Sequence, residues 1–126
     1  MKDKQCIIEL WKIIQNQEWD QLSKYFSNTC VINFHHTNEQ FTLEEYVQVN
    51  SGMGSWIINV ENIIVTESVI ISIIKTFSSE NEKVFAHAVS FFTFENGKIS
   101  KIDEYWGDGG IAPQWRIDLE IGTTII

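Results

Sequence analysis

Apolar side chains recur at helical spacing near the start of the chain. Asp3 can cap the helix that they predict, and the pattern ends at about Gln15. A second, shorter helix is predicted from Glu18 to Phe26, before the Ser27-Asn28 break. The inward face of the first helix is formed by apolar residues at helical spacing, namely Ile7, Leu10, Trp11 and Ile14.

Residues 29–35 show the two-residue alternation of side chains that is typical of a half-buried strand. One face of this strand would carry Cys30, Ile32 and Phe34, and the other Val31, Asn33 and His35.

The third helix has the clearest local signal. Thr42 and Glu45 form a capping box, while Phe41 and Tyr46 occupy the positions of a hydrophobic staple. This helix is predicted to end near residues 50–52, where a glycine can cap it.

From Ile57 onward the pattern is that of strands, without a further helix. The predicted strands are Asn59–Thr66, Val69–Phe77, Lys83–Phe94 and Lys98–Trp106. The Asn96-Gly97 dipeptide between the last two is the strongest hairpin signal in the chain.

The length of this turn decides which side chains of the hairpin share a face. A two-residue turn puts His87, Glu104 and Trp106 on one face. A three-residue turn with a bulge would instead put Ala88 and Ser90 with Glu104. We favour the two-residue turn, because the residues that flank it carry opposite charges.

The central strands are apolar on both faces. Residues 63–65 and 69–74 are almost entirely Ile and Val, a pattern typical of strands that are covered on both sides. Three short N-terminal helices can cover only one face of a curved sheet, so we expect a homodimer in which a second copy covers the outer face. The alternative is that the tail from Ile117 to Ile126 covers it.

Length and charge narrow the function classes. The chain of 126 residues is expected to form one domain, spanning residues 1–126. Its net charge of -8 repels phosphate groups, so nucleic acid and anionic membranes are poor partners. The sequence has no signal-peptide pattern and no run of about 18 apolar residues, which favours a cytoplasmic protein.

The order of the elements and the hairpin sequence resemble a known superfamily. The most telling stretches run from Ser90 to Ile99 and from Asp103 to Trp106. They follow three N-terminal helices with a strand between the second and third, and the whole resembles the nuclear transport factor 2-like superfamily, more narrowly its SnoaL-like (polyketide cyclase-like) branch. This resemblance implies an α+β fold, in which a cone-shaped, curved antiparallel sheet (an α-β barrel) wraps around the three helices and leaves a pocket between them.

The resemblance does not fix an activity. Members of the superfamily include ketosteroid isomerases, dehydratases, polyketide cyclases and epoxide hydrolases, together with proteins that catalyse nothing. The isomerases need a tyrosine on the first helix, an aspartate base at the end of the first strand and a protonated acid in the penultimate strand. Those positions hold Leu10, Asn33 and Ser90 here, which argues against steroid isomerisation.

The resemblance also orients the candidate site. In the isomerase branch, the residue before the glycine that ends the strand faces the cavity, and here that residue is Trp106. Glu104 and His87 share its face in the favoured register, so we predict that Glu104 is an acid or base with a raised pKa and that His87 is its partner. Asn33 and His35 would add polar contacts to the ligand from across the cavity.

The loop after the last strand supplies the remaining candidates. Trp115 and Arg116 are predicted to contact the ligand, although Glu104 could instead form a structural ion pair with Arg116 that closes the mouth of the pocket. The adjacent His35-His36 pair points to opposite faces of a strand, so we expect no metal, and we expect no cofactor.

Two functions therefore stay open. The first is a cofactor-independent acid–base enzyme, such as an isomerase, dehydratase, cyclase or hydrolase, that acts on a small, largely apolar organic substrate. The second is a ligand-binding or protein-interaction module with the same fold and no catalysis.

Overall fold

The structure is a computed structural model that describes residues 3–125. Over this range the chain forms short helices and an extended set of strands. In chain order they are α1 (Lys4–Gln15), a 3-10 helix (Trp19–Lys24), β1 (Phe26–Phe34), β2 (Glu39–Phe41), α2 (Leu43–Gly52), β3 (Trp56–Val65), β4 (Val69–Ser78), β5 (Phe85–Glu95), β6 (Lys98–Asp108) and α3 (Gln114–Ile117).

Local sequence signals set the helix starts. The Asp3 carboxylate accepts a hydrogen bond from the Cys6 amide at 2.8 Å and so caps α1. At α2, the Thr42 hydroxyl accepts from the Glu45 amide at 3.2 Å, and the Glu45 carboxylate accepts from the Thr42 amide at 2.9 Å. The predicted capping box is confirmed, and it fixes the helical register that turns Tyr46 into the core.

Three local predictions differ from the structure. A single helical turn, Gln114–Ile117, follows the strands, where the pattern predicts no further helix. The second helix is a 3-10 helix, and Phe26, its last predicted residue, is the first residue of β1. A short strand, β2, also pairs antiparallel with β1. It forms because the chain reverses through Asn38, whose φ of 58° is accessible to asparagine and leaves no mark in the apolar pattern.

The strands form one curved, open sheet in the order β2-β1-β6-β5-β4-β3. The predicted α+β class and curved sheet are confirmed, with one difference: β1 joins β6 in parallel, whereas the other neighbours are antiparallel. The helices pack on one face of the sheet. The core between them includes Leu10, Trp11, Tyr46, Ile74, Phe92 and Ile102.

A β-bulge in β6 decides which side chains of the last hairpin face the helices. The predicted two-residue turn is confirmed, but the pairing shifts a few residues later. Phe94 pairs with Ile99, whereas Thr93 pairs with Lys101, so Ser100 is an extra residue on β6. Because side chains alternate along a strand, one extra residue exchanges the faces relative to the partner strand.

The register predicted beyond the bulge is therefore wrong by one residue. Glu104 pairs with Ser90, and Trp106 pairs with Ala88. Ala88, Ser90 and Glu104 share the inner face, while His87 lies on the outer face.

The C-terminal segment lies outside the core. Every residue from 110 to 125 is exposed, including the single helical turn Gln114–Ile117. The alternative that the tail covers the outer face of the sheet is therefore wrong. A homodimer through that face stays a prediction.

Candidate functional site

A carboxyl group lies inside the protein, between the sheet and α2. Glu104, on β6, has 0% of its surface exposed. Its Oε2 accepts a hydrogen bond from the Tyr46 hydroxyl at 3.1 Å, and its Oε1 accepts one from Trp106 Nε1 at 2.9 Å. Helix and sheet therefore each supply one neutral donor to this carboxyl group.

No positive charge compensates the Glu104 carboxylate. Within residues 3–125, no Lys, Arg or His nitrogen lies within 4.0 Å of it. Burial raises the pKa of Glu104 from 4.5 to about 7, and the hydrogen bonds from Trp106 and Tyr46 limit the rise because they favour the charged form. The group therefore gains and loses its proton near neutral pH, which is the range useful for acid–base chemistry.

Tyr46 is a donor that stays neutral. Burial, followed by the nearby Glu104 carboxylate, raises the pKa of its hydroxyl well above the ordinary value. A phenol can donate to a carboxylate or accept from a carboxylic acid, so Tyr46 can bond to Glu104 in either protonation state. The Trp106 indole can only donate, so it favours the ionised form.

Polar groups also lie on the inner face of the neighbouring strands. Ser72 Oγ accepts a hydrogen bond from Trp11 Nε1 at 3.1 Å. Ser90, the residue paired with Glu104, is fully buried, and its Oγ makes no hydrogen bond of normal geometry within the described residues, although it lies close enough to the Glu104 carboxylate to lower its pKa. The Ser90 hydroxyl therefore adds a further neutral polar group beside the Glu104 carboxylate.

A small cavity shares one wall residue, Trp106, with the carboxyl site. Its volume is about 30 Å³, room for little more than a water molecule. Asn50, Met53 and Thr76 contribute to its wall, and so do four of the five tryptophans: Trp11, Trp19, Trp56 and Trp106. Trp106 connects the two features, since its ring lines the cavity and its Nε1 donates to Glu104.

The predicted role of His87 is wrong. Because of the bulge at Ser100, its side chain lies on the outer face, where it is 48% exposed and its Nε2 is 3.6 Å from the Glu61 carboxylate. Its ring also contacts Phe85 edge-on. His87 is therefore separated from Glu104 by the sheet itself.

Asn33 and His35 also lie on the outer face, so the predicted contacts across the cavity are wrong. Asn33 Nδ2 donates to Asp103 Oδ1 at 3.0 Å, and His35 Nε2 lies 2.8 Å from the same oxygen. The His35 ring stacks on Tyr105 at 4.5 Å. Their alternation with Ile32 and Phe34 puts them outside, because the apolar set packs against the helices.

Trp115 and Arg116 lie in the exposed C-terminal segment, so the structure does not bring them to the cavity. Trp115 is 65% exposed, and the Arg116 guanidinium lies 5.7 Å from its ring. The predicted alternative, a structural ion pair between Glu104 and Arg116, is also wrong, because the Arg116 guanidinium is not within 4.0 Å of the Glu104 carboxylate. Within residues 3–125, no group of three or more His, Cys, Asp or Glu side chains is placed to hold a metal ion.

Sequence reasoning missed Tyr46 as the partner of Glu104. The predicted hydrophobic staple with Phe41 indicates that the Tyr46 side chain points inward, and the capping box sets its position on the helix. The contact itself joins residues 58 positions apart, and no local pattern contains that information.

No family model matches this chain, and no curated protein does either. Solved structures do match. An NTF-2-like protein of unknown function from Burkholderia xenovorans LB400 superposes with a TM-score of 0.75, at 16% identity over 96% of this chain and 94% of that one. A provisionally named ketosteroid isomerase from Kribbella flavida DSM 17836 superposes with a TM-score of 0.79, at 14% identity over 98% of this chain and 90% of that one. A provisionally named SnoaL-like polyketide cyclase from Shewanella putrefaciens CN-32 superposes with a TM-score of 0.67, at 11% identity over 82% of this chain and 88% of that one.

These likenesses show the fold. The chain has the NTF2-like α+β architecture, and SnoaL-like structures are among those it resembles. Along residues 3–125, no helix is long and apolar enough to cross a membrane.

Proposed function

We propose that this protein binds a small, largely apolar organic molecule in the tryptophan-lined cavity, and that Glu104 exchanges a proton with it. The observation that carries the proposal is the fully buried Glu104 carboxyl group, which two neutral donors hold without a cation beside it. A carboxyl group that serves stability alone is normally exposed or paired with a positive charge. A pKa of about 7 supports a role as general acid or base.

The neighbours of Glu104 suit both directions of proton transfer. The Trp106 N–H stabilises the carboxylate, and the Tyr46 hydroxyl can bond to either form of the group. The Ser90 hydroxyl, which also favours the Glu104 carboxylate, could turn to a polar atom of the ligand. Reactions that need one acid or base and no cofactor include isomerisation, dehydration, cyclisation and hydrolysis.

Ligand binding must enlarge the cavity. A volume of about 30 Å³ is far below the several hundred Å³ of an ordinary ligand pocket. Met53 at the rim is 48% exposed and Trp106 is half-buried, so both can move without disturbing the sheet. Rotation of Trp106 would remove the hydrogen bond to Glu104 Oε1, and the movement that admits a ligand would therefore also free the base.

Proteins of the same fold support this class of chemistry without choosing a reaction. The solved structures carry names that include ketosteroid isomerase, polyketide cyclase and epoxide hydrolase. Function in this fold therefore depends on the side chains of the site, which here are Glu104, Tyr46 and Trp106.

A second candidate is ligand binding without reaction. The small volume of the cavity favours it, as does the absence of Glu104 from the residues that line the wall. In that case, the protonated Glu104 would serve as a buried hydrogen-bond donor.

Kemp elimination of 5-nitrobenzisoxazole tests whether Glu104 is a base that a ligand can reach. A base removes the carbon-bound proton, the N–O bond breaks and a coloured cyanonitrophenolate is released. We expect a rate that rises with pH through an apparent pKa near 7 and that falls to background in Glu104→Gln.

Asp103→Asn is the matched control, because Asp103 is the adjacent acid on the opposite face of the sheet. It should retain the rate of the wild type. Equal rates for folded wild type and Glu104→Gln would contradict catalysis by Glu104. Quenching of tryptophan fluorescence by the probe without turnover would favour the second candidate.

We also propose that a second copy covers the outer face of the sheet. That face carries half-buried apolar side chains in register across β4 and β5, since Ile71 pairs with Phe91 and Ile73 pairs with Val89. Tyr105, beside Val89, is 47% exposed. A sheet face in contact with water alone is normally more polar than this.

A further inference from the structure

We propose that residues 111–125 form an arm, part of which adds as a strand to the free edge of β3 in a second copy of this chain. The inference rests on the proposed dimerisation and is independent of the chemistry at Glu104. The arm, as defined by these residues, is exposed along its whole length in the single chain.

The arm carries a strand pattern that the single chain does not use. Strict alternation from 115 to 121 predicts a half-buried strand. The structure has a single helical turn and a following turn there instead, with the apolar set 43% to 65% exposed. The alternation places the charged residues Arg116, Asp118 and Glu120 between the apolar residues Trp115, Ile117, Leu119 and Ile121. A chain with this pattern needs a sheet edge to pair with.

β3 offers such an edge. It is the last strand of the sheet, and its other side pairs with β4. A groove runs between this edge and α1, with Ile8 and Lys12 on the helical side and Ile58 and Val60 on the strand side. An added strand would satisfy the edge amides and carbonyls and would place alternate side chains in the groove.

α1 packs beside this edge, so an added strand would have to replace one present contact. The side chain of Gln15 accepts a hydrogen bond from the Ile58 amide at 2.8 Å, which is the type of bond that an added strand would make. Lys12 makes no ion pair within residues 3–125, and the arm carries Asp118 and Glu120. The groove therefore offers an apolar floor and a positive charge to an arm with one apolar and one mainly acidic face.

The starting point of the arm favours a second copy as the acceptor. Gly109 donates its N–H to the Phe85 carbonyl at 2.8 Å, and a Cβ at Gly109 would lie 2.0 Å from the Phe85 ring, so the chain is held close at this point. The strand position beyond β3 of the same chain is four spacings, or about 19 Å, from β6. The six Cα steps from Gly109 to Trp115 reach about 20 Å when fully extended, which leaves almost no slack for passing around the end of the sheet. Two copies can exchange arms about a two-fold axis without this constraint.

The test compares dimer dissociation constants by sedimentation velocity for the full chain and for variants of the arm. Leu119→Ser with Ile121→Ser changes the apolar face, and Asp118→Ser with Glu120→Ser is the matched change on the charged face. A truncation after Gly110 removes the arm. We expect the truncation and the apolar variant to weaken the dimer at least tenfold, and the charged-face variant to weaken it less. Thermal unfolding should be unchanged for the monomeric domain, because the substituted side chains are exposed.

A photo-crosslinking residue at position 119 identifies the acceptor. With a mixture of ¹⁴N- and ¹⁵N-labelled chains, we expect crosslinks between copies that map to residues 8–15 and 57–60. Crosslinks within one chain, or to other strands, would overturn the proposal. A dimer of unchanged affinity after truncation would overturn the arm and leave the sheet-face dimer standing, whereas a full chain that stays monomeric would overturn both.

Discussion

Asp103 and Glu104 are adjacent acids on β6, yet the sheet places them in opposite environments. On the outer face, burial alone would raise the pKa of Asp103, but hydrogen bonds from Asn33 and His35 and the charge of Lys101 outweigh burial and lower it. On the inner face, burial dominates and raises the pKa of Glu104 to about 7. The pKa values of two carboxyl groups on consecutive residues are therefore shifted in opposite directions.

The difference between the two acids lies in their partners. The outer acid has cationic and amide donors that hold it in its charged form, whereas the inner acid has neutral donors and no contact with water. An acid held in its charged form adds to stability at neutral pH, and an acid pushed toward its neutral form subtracts from it. A stability cost at Glu104 is what a functional group in a core is expected to impose.

The largest expected effect is on the pH dependence of stability. Because the folded pKa of about 7 lies above the ordinary 4.5, the contribution of Glu104 is full below pH 4.5 and is lost as the pH rises to about 7. Relative to Glu104→Gln, the wild type should lose about 3 kcal/mol in the free energy of unfolding across that interval. Urea unfolding of both proteins at several pH values measures the difference. Parallel curves would show that Glu104 is not perturbed.

The next effect concerns Tyr46. Tyr46→Phe removes a donor to the Glu104 carboxylate, so it should lower the free energy of unfolding by about 2 kcal/mol above pH 7 and by less in mild acid. The same substitution in the Glu104→Gln background should cost less above pH 7. An equal cost in the two backgrounds would mean that Tyr46 acts through packing alone.

A smaller effect is expected from Trp106→Phe. Loss of the indole N–H removes a bond that favours the charged form, so the pKa of Glu104 should rise further, and the pH midpoint of Kemp elimination should move upward. The smaller ring should also ease entry of the probe and lower its KM. An unchanged midpoint would argue that the indole does not hold the carboxylate.

The smallest effect is expected on the outer face. The pKa of Asp103 is lowered, so its contribution to stability is present above the ordinary pKa and is lost as the pH falls through the folded value. Because the group is partly exposed, Asp103→Asn should cost under about 1 kcal/mol at neutral pH. Salt should reduce that cost, and a larger loss that is independent of salt would contradict this description.

Much of the fold could be predicted because its signals are local. Three of these signals act within a few residues: the helix cap at Asp3, the capping box of Thr42 and Glu45, and the Asn96-Gly97 turn. The alternation in the strands then predicts the sheet, and it places Glu104 and Trp106 on one face.

The site was predicted less well, for three different reasons. The bulge at Ser100 comes after a correctly identified turn, and it alone moves His87 to the outer face. The predicted ligand contacts of Asn33 and His35 rest on the resemblance, whereas the alternation of these residues with apolar ones puts them on the outer face. The bond between Tyr46 and Glu104 depends on how α2 packs on the sheet, which no pattern in the chain records.

The most direct test is a titration of Glu104 by carboxyl-carbon NMR in protein labelled at glutamate, with Glu104→Gln used to assign the signal. We expect one glutamate that titrates near pH 7, well separated from the others. A Glu104 signal that titrates near the ordinary value of 4.5 would contradict the central claim that this carboxyl group is buried, without a cation, and ready to transfer a proton at neutral pH.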